Sequence, residues 1–197
     1  MRIVGGKHRG RSLRAAMNKM DKMARNLRPT SERAREAVFN ILEHGIDWDG
    51  LKDVSVIDVF AGTGAYGLEA LSRGAAHATF IDEDAAALEL IRKNAGALGE
   101  EGRITPLKLD AARLAPPPQM TVAAGTPCGL AFCDPPYNSN LSGPALLGLV
   151  TKGWIGDGGI CVIEVAAKEN FDPPADFDLL IERTYGAARV IFLKYPG

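Results

Sequence analysis

The chain is poor in cysteine, histidine and aromatics, and almost without net charge. Its 197 residues include three Cys, three His and 7% Phe, Trp and Tyr, and the formal charge is −1. Cys128, Cys133 and Cys161 are an odd number, and two of them lie in apolar runs, which fits small core residues in a reducing compartment and not a disulfide frame. His8, His44 and His77 lack ligand spacing, so no metal site is expected. No apolar run reaches the ~18 residues a membrane helix needs, and the opening MRIVGGKHRGRSL has no apolar segment of a signal peptide. A cytoplasmic, monomeric protein with no membrane partner is the expectation. The remaining composition, 46% hydrophobic and 24% charged, is that of a globular domain and excludes collagen, coiled coil and wholesale disorder. The length suits one domain, or one with a short appendage.

Near-neutrality hides a partition. Residues 1–35 hold 11 of the 23 Lys/Arg but only Asp21 and Glu32 among the 24 acids, a balance of +9. Residues 36–197 carry −10. The sequence therefore divides into a basic arm over 1–35 and an acidic body over 36–197. Arms of this kind meet nucleic acid or anionic surfaces. Lys7, Arg9, Arg11, Arg14, Lys19, Lys22, Arg25, Arg28 and Arg33 are the candidate phosphate contacts, giving salt-dependent, sequence-neutral affinity. A cationic arm lets an acidic body approach RNA that would otherwise repel it.

The arm begins with Arg2–Leu13, whose Gly5-Gly6 and Gly10 suit a small β-hairpin, and continues into a loop over 15–29 with no clean apolar face. Ser31 is placed to cap a helix running to about His44, with Ala34, Ala37, Val38, Ile41 and Leu42 on one face. From Val54 the pattern alternates strand and helix. VSVIDVF (54–60), HATFID (77–82), RITPLKL (103–109), GLAFCD (129–134) and GICVIEVA (159–166) read as strands, several apolar enough to be buried on both faces. Asp84 and Gly99 bound a helix, another follows over about 143–152, and 111–128 is an irregular connection. LLIERTYG and ARVIFLKY close the chain as an antiparallel pair. The fold class is α/β, a mostly parallel Rossmann-like sheet whose ligands gather at the carboxyl ends of the strands.

Two motifs fall at such ends. Gly62-x-Gly64-x-x-Gly67 follows the first strand, and Asp82 ends the second, as in a dinucleotide fingerprint. Asp58, four residues before Gly62, could face a cationic amine, where pyrophosphate would be repelled. Asp82 could take ribose hydroxyls, and Asp110, after the third strand, an adenine amine. Taken singly, Asp110 reads equally well as a helix cap. Acids after three successive strands suit S-adenosylmethionine, which has an ammonium, a ribose and an adenine but no phosphate. The second motif is Asp134-Pro135-Pro136-Tyr137 after the fourth strand. A carboxylate plus a proline carbonyl can accept both hydrogens of an exocyclic amine, and Tyr137 can stack on the base. Accepting both N–H groups favours a pyramidal nitrogen whose lone pair points at the methyl donor.

VIDVFAGTGAYGLEALSRGA (56–75), the acids that follow and DPPY (134–137) resemble class I S-adenosylmethionine-dependent methyltransferases of the amino-methylating kind. RIVGGKHRGRSL (2–13), RPTSERAREAVFNIL (28–42) and Tyr185-Gly186 narrow the resemblance to the bacterial 16S rRNA guanine-N2 methyltransferases, over essentially the whole chain. The resemblance implies methyl transfer to the 2-amino group of a guanine in small-subunit rRNA, with Asp134 and Pro135 holding the amine and Tyr137 stacking on the base. It implies a cofactor site drawn from Asp58, Phe60, Ala61, Gly62, Gly64, Asp82, Asp110 and Ala111. Three readings compete. DPPY also serves N6-adenine methylation, the literal glycine spacing also fits an NAD-dependent oxidoreductase, and the arm alone also fits a non-enzymatic RNA-binding assembly factor.

Overall fold

Residues Val56–Val59 are apolar but for Asp58, and they form all but the first residue of β1 (Ser55–Val59), buried on both faces. The computed structural model describes residues 1–15 and 28–197, with side chains in the second stretch from residue 32 onward. β1 pairs in parallel with β2 (His77–Asp82) on one side and β4 (Cys128–Cys133) on the other. β3 (Ile104–Lys108) extends the β2 side, and β5 (Ile155–Ala166) extends the β4 side. β7 (Ala188–Lys194) then runs antiparallel between β5 and β6 (Asp178–Tyr185), giving the order β3-β2-β1-β4-β5-β7-β6. The expected α/β sheet, mostly parallel with an antiparallel C-terminal pair, is present.

Strand alternation sorts side chains into two layers. Val56, Leu130, Phe132, Ile160, Val162, Val190 and Phe192 face α1 (Arg28–His44), α2 (Ala65–Ser72) and α3 (Ala85–Leu98). Ile57, Val59, Ala131, Cys133, Cys161, Ile163 and Ile191 face the other way, toward Trp154 and the last helix, Ser142–Thr151. The three cysteines are free and buried. Asp84 caps α3 by accepting from the Ala86 N–H at 2.8 Å, and Gly99 ends that helix at φ 72°. Pro106 is tolerated because β3 is an edge strand.

Several boundaries differ from the sequence reading. α1 starts at Arg28, so Ser31 lies inside the helix and does not cap it. β5 begins at Ile155, four residues early, across a register shift between Cys128 and Leu130. The connection 111–128 contains a 3-10 turn (Ala111–Arg113) and a short helix (Gln119–Ala123). The expected hairpin is a single Arg2–Ser12 bridge closed by a 3-10 turn at Gly6–His8.

The described start of the arm is tied to the body. Ile3 and Leu13 are buried in the same layer as Val38 and Phe39. The buried Glu69 carboxylate accepts from the backbone N–H groups of Val4 and Gly5 at 2.8 and 2.7 Å, and it pairs with Arg73 and Arg35. The division of the chain at residue 35 falls within α1. Lys19, Lys22 and Arg25 lie outside the described residues, as does the side chain of Arg28.

Gly67 and Asp58 lock α2 onto the sheet. A Cβ on Gly67 would sit 2.4 Å from the Phe80 ring, so only glycine lets the helix lie this close to β2. Asp58 is 2% exposed, and its Oδ2 accepts the Gly67 N–H, one of the unpaired donors of the first turn, at 2.9 Å. Burial pushes its carboxyl up to about 7, with Asp82 adding to the rise and the Gly67 N–H and Arg35 opposing it.

Gly67→Ala is expected to destabilise the protein by about 1–3 kcal/mol through overpacking. Gly102→Ala, where a Cβ meets nothing within 4 Å, is expected to stay within about 0.5 kcal/mol. Urea unfolding midpoints read both, and equal midpoints would contradict the close approach. Between about pH 4 and 7 the folded chain keeps an Asp58 proton that the unfolded chain has lost. Stability is therefore expected to fall as pH rises through that window, with a slope approaching about 1.4 kcal/mol per pH unit, and to level off above it. Asp58→Asn, which still accepts from Gly67, is expected to flatten this slope in urea titrations run from pH 4 to 8. An unchanged slope would show that Asp58 is not its source.

Candidate active site

Strands are added to one side of β1 and then, after β3, to the other, so the carboxyl ends of β1 and β4 flank the switch point of the sheet. The last rung pairs Val59 with Cys133, which brings Phe60 and Asp134 out side by side, the Asp134 N–H lying 3.5 Å from the Val59 carbonyl. A cavity of about 780 Å³ opens there. Its wall includes Phe60, Asp82, Asp110, Ala111, Asp134, Pro135 and Tyr137 from the sequence-derived set, joined by Glu83, Ala112, Arg113, Pro136, Leu141 and Glu164.

The glycine loop forms the floor beside it. Phe60, Gly62 and Gly64 take positive φ values of 61°, 52° and 74°, a tight left-handed path that glycine adopts freely and Phe60 does not. The Ala61 N–H donates to the Ile81 carbonyl at 3.1 Å, and the Gly64 N–H to the Ala61 carbonyl at 2.7 Å. Asp82 fixes the loop from the end of β2, with Oδ2 accepting from the Gly62 N–H at 2.8 Å and Oδ1 from the Asp84 N–H at 2.9 Å. Each oxygen keeps a second lone pair for a ligand hydroxyl. Asp110 caps the 3-10 turn through the Ala112 N–H at 2.9 Å while lining the cavity. Asp58, Ala61, Gly62 and Gly64 are not in the cavity wall. Asp58 shares the strand face of Val56, so it points at the first turn of α2 instead of into the crevice.

Asp134 is open to the cleft on one side and enclosed by protein on the others. That enclosure, then the nearby Glu164 and Asp58 carboxylates, holds its carboxyl well above the usual aspartate range. Pro135 is buried behind it, and Tyr137 is 45% exposed. Glu164, from the end of β5, is absent from the sequence-derived set. It accepts the Tyr137 hydroxyl on Oε1 at 2.8 Å and the Tyr66 hydroxyl on Oε2 at 3.2 Å. Tyr66 reaches it from α2, stacked on Phe132 with ring centroids 4.9 Å apart. Glu169 steadies the turn after Tyr137 by accepting the Asn138 N–H at 2.8 Å. A charged residue inside an apolar strand, aligned with the DPPY turn one strand away, is the signal that points to Glu164.

Five carboxylates and one guanidinium, Arg113, line the cavity. Pyrophosphate would be repelled from it, whereas a ligand bearing ammonium and sulfonium groups is attracted. S-adenosylmethionine fits that charge. Asp82 and Asp110 have acceptor capacity for its ribose and adenine, and the glycine loop allows close backbone approach.

The described arm cations lie on the N-terminal segment and on α1. Arg9, Arg11, Arg14 and Arg33 are exposed, with Arg11 Nη2 donating to the Ala97 carbonyl at 2.9 Å. Lys7 pairs with Glu100 at 2.7 Å, in a cluster that also holds His8 and Arg103.

The family model described as "Conserved hypothetical protein 95" matches residues 1–194. Ribosomal RNA small subunit methyltransferase D of Escherichia coli K12 is 35% identical over 189 residues, covering 94% of this chain and 85% of that protein. The Haemophilus influenzae protein of the same name is 29% identical, covering 94% and 89%. The solved structure of yhhF from Escherichia coli superposes with a TM-score of 0.78 at 29% identity, covering 100% of this chain and 98% of that one. The acid-lined crevice at the switch point, the glycine loop and this kinship agree: the chain belongs to the Conserved hypothetical protein 95 family and is an S-adenosylmethionine-dependent methyltransferase.

Proposed function

We propose that the enzyme methylates the exocyclic N2 amine of a guanine in small-subunit (16S) rRNA. The observation that carries this is the Asp134-Pro135-Pro136-Tyr137 turn, which faces the same cavity as Asp82 and Asp110, one strand from the glycine loop. The relatives named as small-subunit rRNA methyltransferases support the RNA class.

S-adenosylmethionine supplies an electrophilic methyl group on a sulfonium. The chain's residues do the rest. Asp58, Phe60, Ala61, Gly62, Gly64, Asp82, Asp110 and Ala111 form or support the cofactor half of the site, Asp58 doing so by anchoring α2 beneath the glycine loop. The Asp134 carboxylate and the Pro135 carbonyl accept the two amine hydrogens, and this aims the nitrogen lone pair at the methyl group. Positive charge growing on nitrogen is stabilised by Asp134, whose raised basicity also suits it to receive the released proton. Tyr137 offers an exposed ring for the base to stack on, a recognition mode of unpaired or splayed RNA bases. Among the described residues no helix is long and apolar enough to cross a membrane. The reading is of a cytoplasmic monomer acting on rRNA or on a partly assembled small subunit, with Lys7, Arg9, Arg11, Arg14, Arg28 and Arg33 as its phosphate contacts.

Asp134→Ala is expected to lower kcat on the order of 10²-fold or more, as loss of a transition-state acceptor does, with affinity for S-adenosylhomocysteine kept. Nucleoside mass spectrometry of rRNA treated with the wild-type enzyme should show N2-methylguanosine. N6-methyladenosine in its place would overturn the target assignment, and full activity of the variant would overturn the role of Asp134. Joint substitution of Arg9, Arg14 and Arg33 by Ala is expected to weaken RNA binding and to reduce the salt slope by about 0.7–0.9 for each phosphate no longer neutralised. An unchanged affinity and slope would refute the basic-arm assignment.

A further inference from the structure

Asp134 and Glu164 are placed together by the sheet. β4 and β5 are parallel neighbours whose last matched rung is Cys133 with Ile163, so each strand delivers its next residue, Asp134 or Glu164, to the same level. Both side chains line the cavity, and the Glu164 carboxylate disfavours charge on Asp134. Two carboxylates brought to one level of neighbouring strands repel, and a guest that supplies hydrogen-bond donors to both relieves the repulsion. Glu164 is also held in place. It faces the α1/α2 side of β5, in step with Ile160 and Val162, and takes the hydroxyls of Tyr66 and Tyr137 on separate oxygens. Each oxygen retains a lone pair.

We propose that Glu164 is the specificity-determining residue, accepting the N1–H of the target guanine while Asp134 and Pro135 hold its N2 amine. This rests on the guanine-N2 reading above. Guanine's Watson–Crick edge presents N1–H and the two N2 hydrogens side by side, three donors matched to two carboxylates and a carbonyl. Adenine places an acceptor lone pair at N1 beside its amine, which would face the Glu164 carboxylate with like polarity and make no hydrogen bond to it. An acceptor set against a carboxylate, with no proton to share between them, is what makes a polar site reject a near-isosteric base. The Tyr137 tether adds a second consequence, because the hydrogen bond that orients Glu164 also fixes the ring on which the base stacks.

The test compares small-subunit rRNA carrying guanine at the modified position with the same RNA carrying 2-aminopurine there. That base keeps the N2 amine but has a lone pair at N1. Wild-type enzyme is expected to methylate guanine at least 10-fold more efficiently in kcat/KM. Glu164→Gln, whose amide N–H can donate to the bare N1, is expected to lose at least 10-fold on guanine without a matching loss on 2-aminopurine, so the ratio collapses. A purely structural role would lower both substrates alike. That result, with wild-type N2 methylation of guanine intact, overturns the Glu164 assignment and leaves the target reading standing. Equal wild-type rates on the two RNAs also overturn it, and this comparison needs no variant to fold. N6-methyladenosine in place of N2-methylguanosine overturns the target reading, and this inference with it.

Discussion

Between β1 and β4 the sheet reverses the direction in which strands are added, and everything that the molecule does depends on the pairing of those two strands. The register that sets Val59 against Cys133 brings the glycine loop and the DPPY turn out at one level. Neither motif makes a site alone. The loop supplies a tight backbone path at the end of β1, and the turn supplies carboxylate and carbonyl acceptors at the end of β4. Parallel strands about 70 residues apart in sequence hold them because both are buried on both faces by apolar side chains, a constraint that leaves little freedom for slip.

Charge follows the same division. The cleft carries five carboxylates, and enclosure of Asp134 on its protein side together with the nearby Glu164 and Asp58 raises its basicity. A cationic cofactor relieves that accumulation, whereas a dinucleotide pyrophosphate would add to it. The exposed Arg9, Arg14 and Arg33 lie on the N-terminal segment and α1, which pack on the opposite layer from Trp154. The near-zero total charge is the sum of a basic N-terminal segment and an acidic body.

Much of this is legible in the residues. Apolar runs ended by Asp or Gly mark the strands, Asp84 and Gly99 bound a helix, and DPPY after GLAFC marks the end of β4 that opens on the cavity. Other features depend on contacts that no local pattern encodes. Glu164 is one polar residue in an apolar strand, and its meaning comes only from Tyr66, Tyr137 and Asp134 reaching it from three other places in the chain. Asp58 reads as a cofactor ligand until strand alternation is carried one residue further; it shares the face of Val56 and serves α2. Lys7 counts as a free cation in the sequence, yet Glu100, 93 residues later, pairs with it. The arm's net charge is readable, but the anchoring of its first residues through Glu69 is not.

Amide chemical-shift mapping with S-adenosylhomocysteine tests the central claim most directly. Saturable perturbations are expected at Gly62, at Asp82–Asp84 and at Asp110–Ala112, at the ends of β1, β2 and β3 on one side of the switch point, with no competition from NAD. Perturbations confined to other surfaces, or displacement of S-adenosylhomocysteine by NAD, would contradict it.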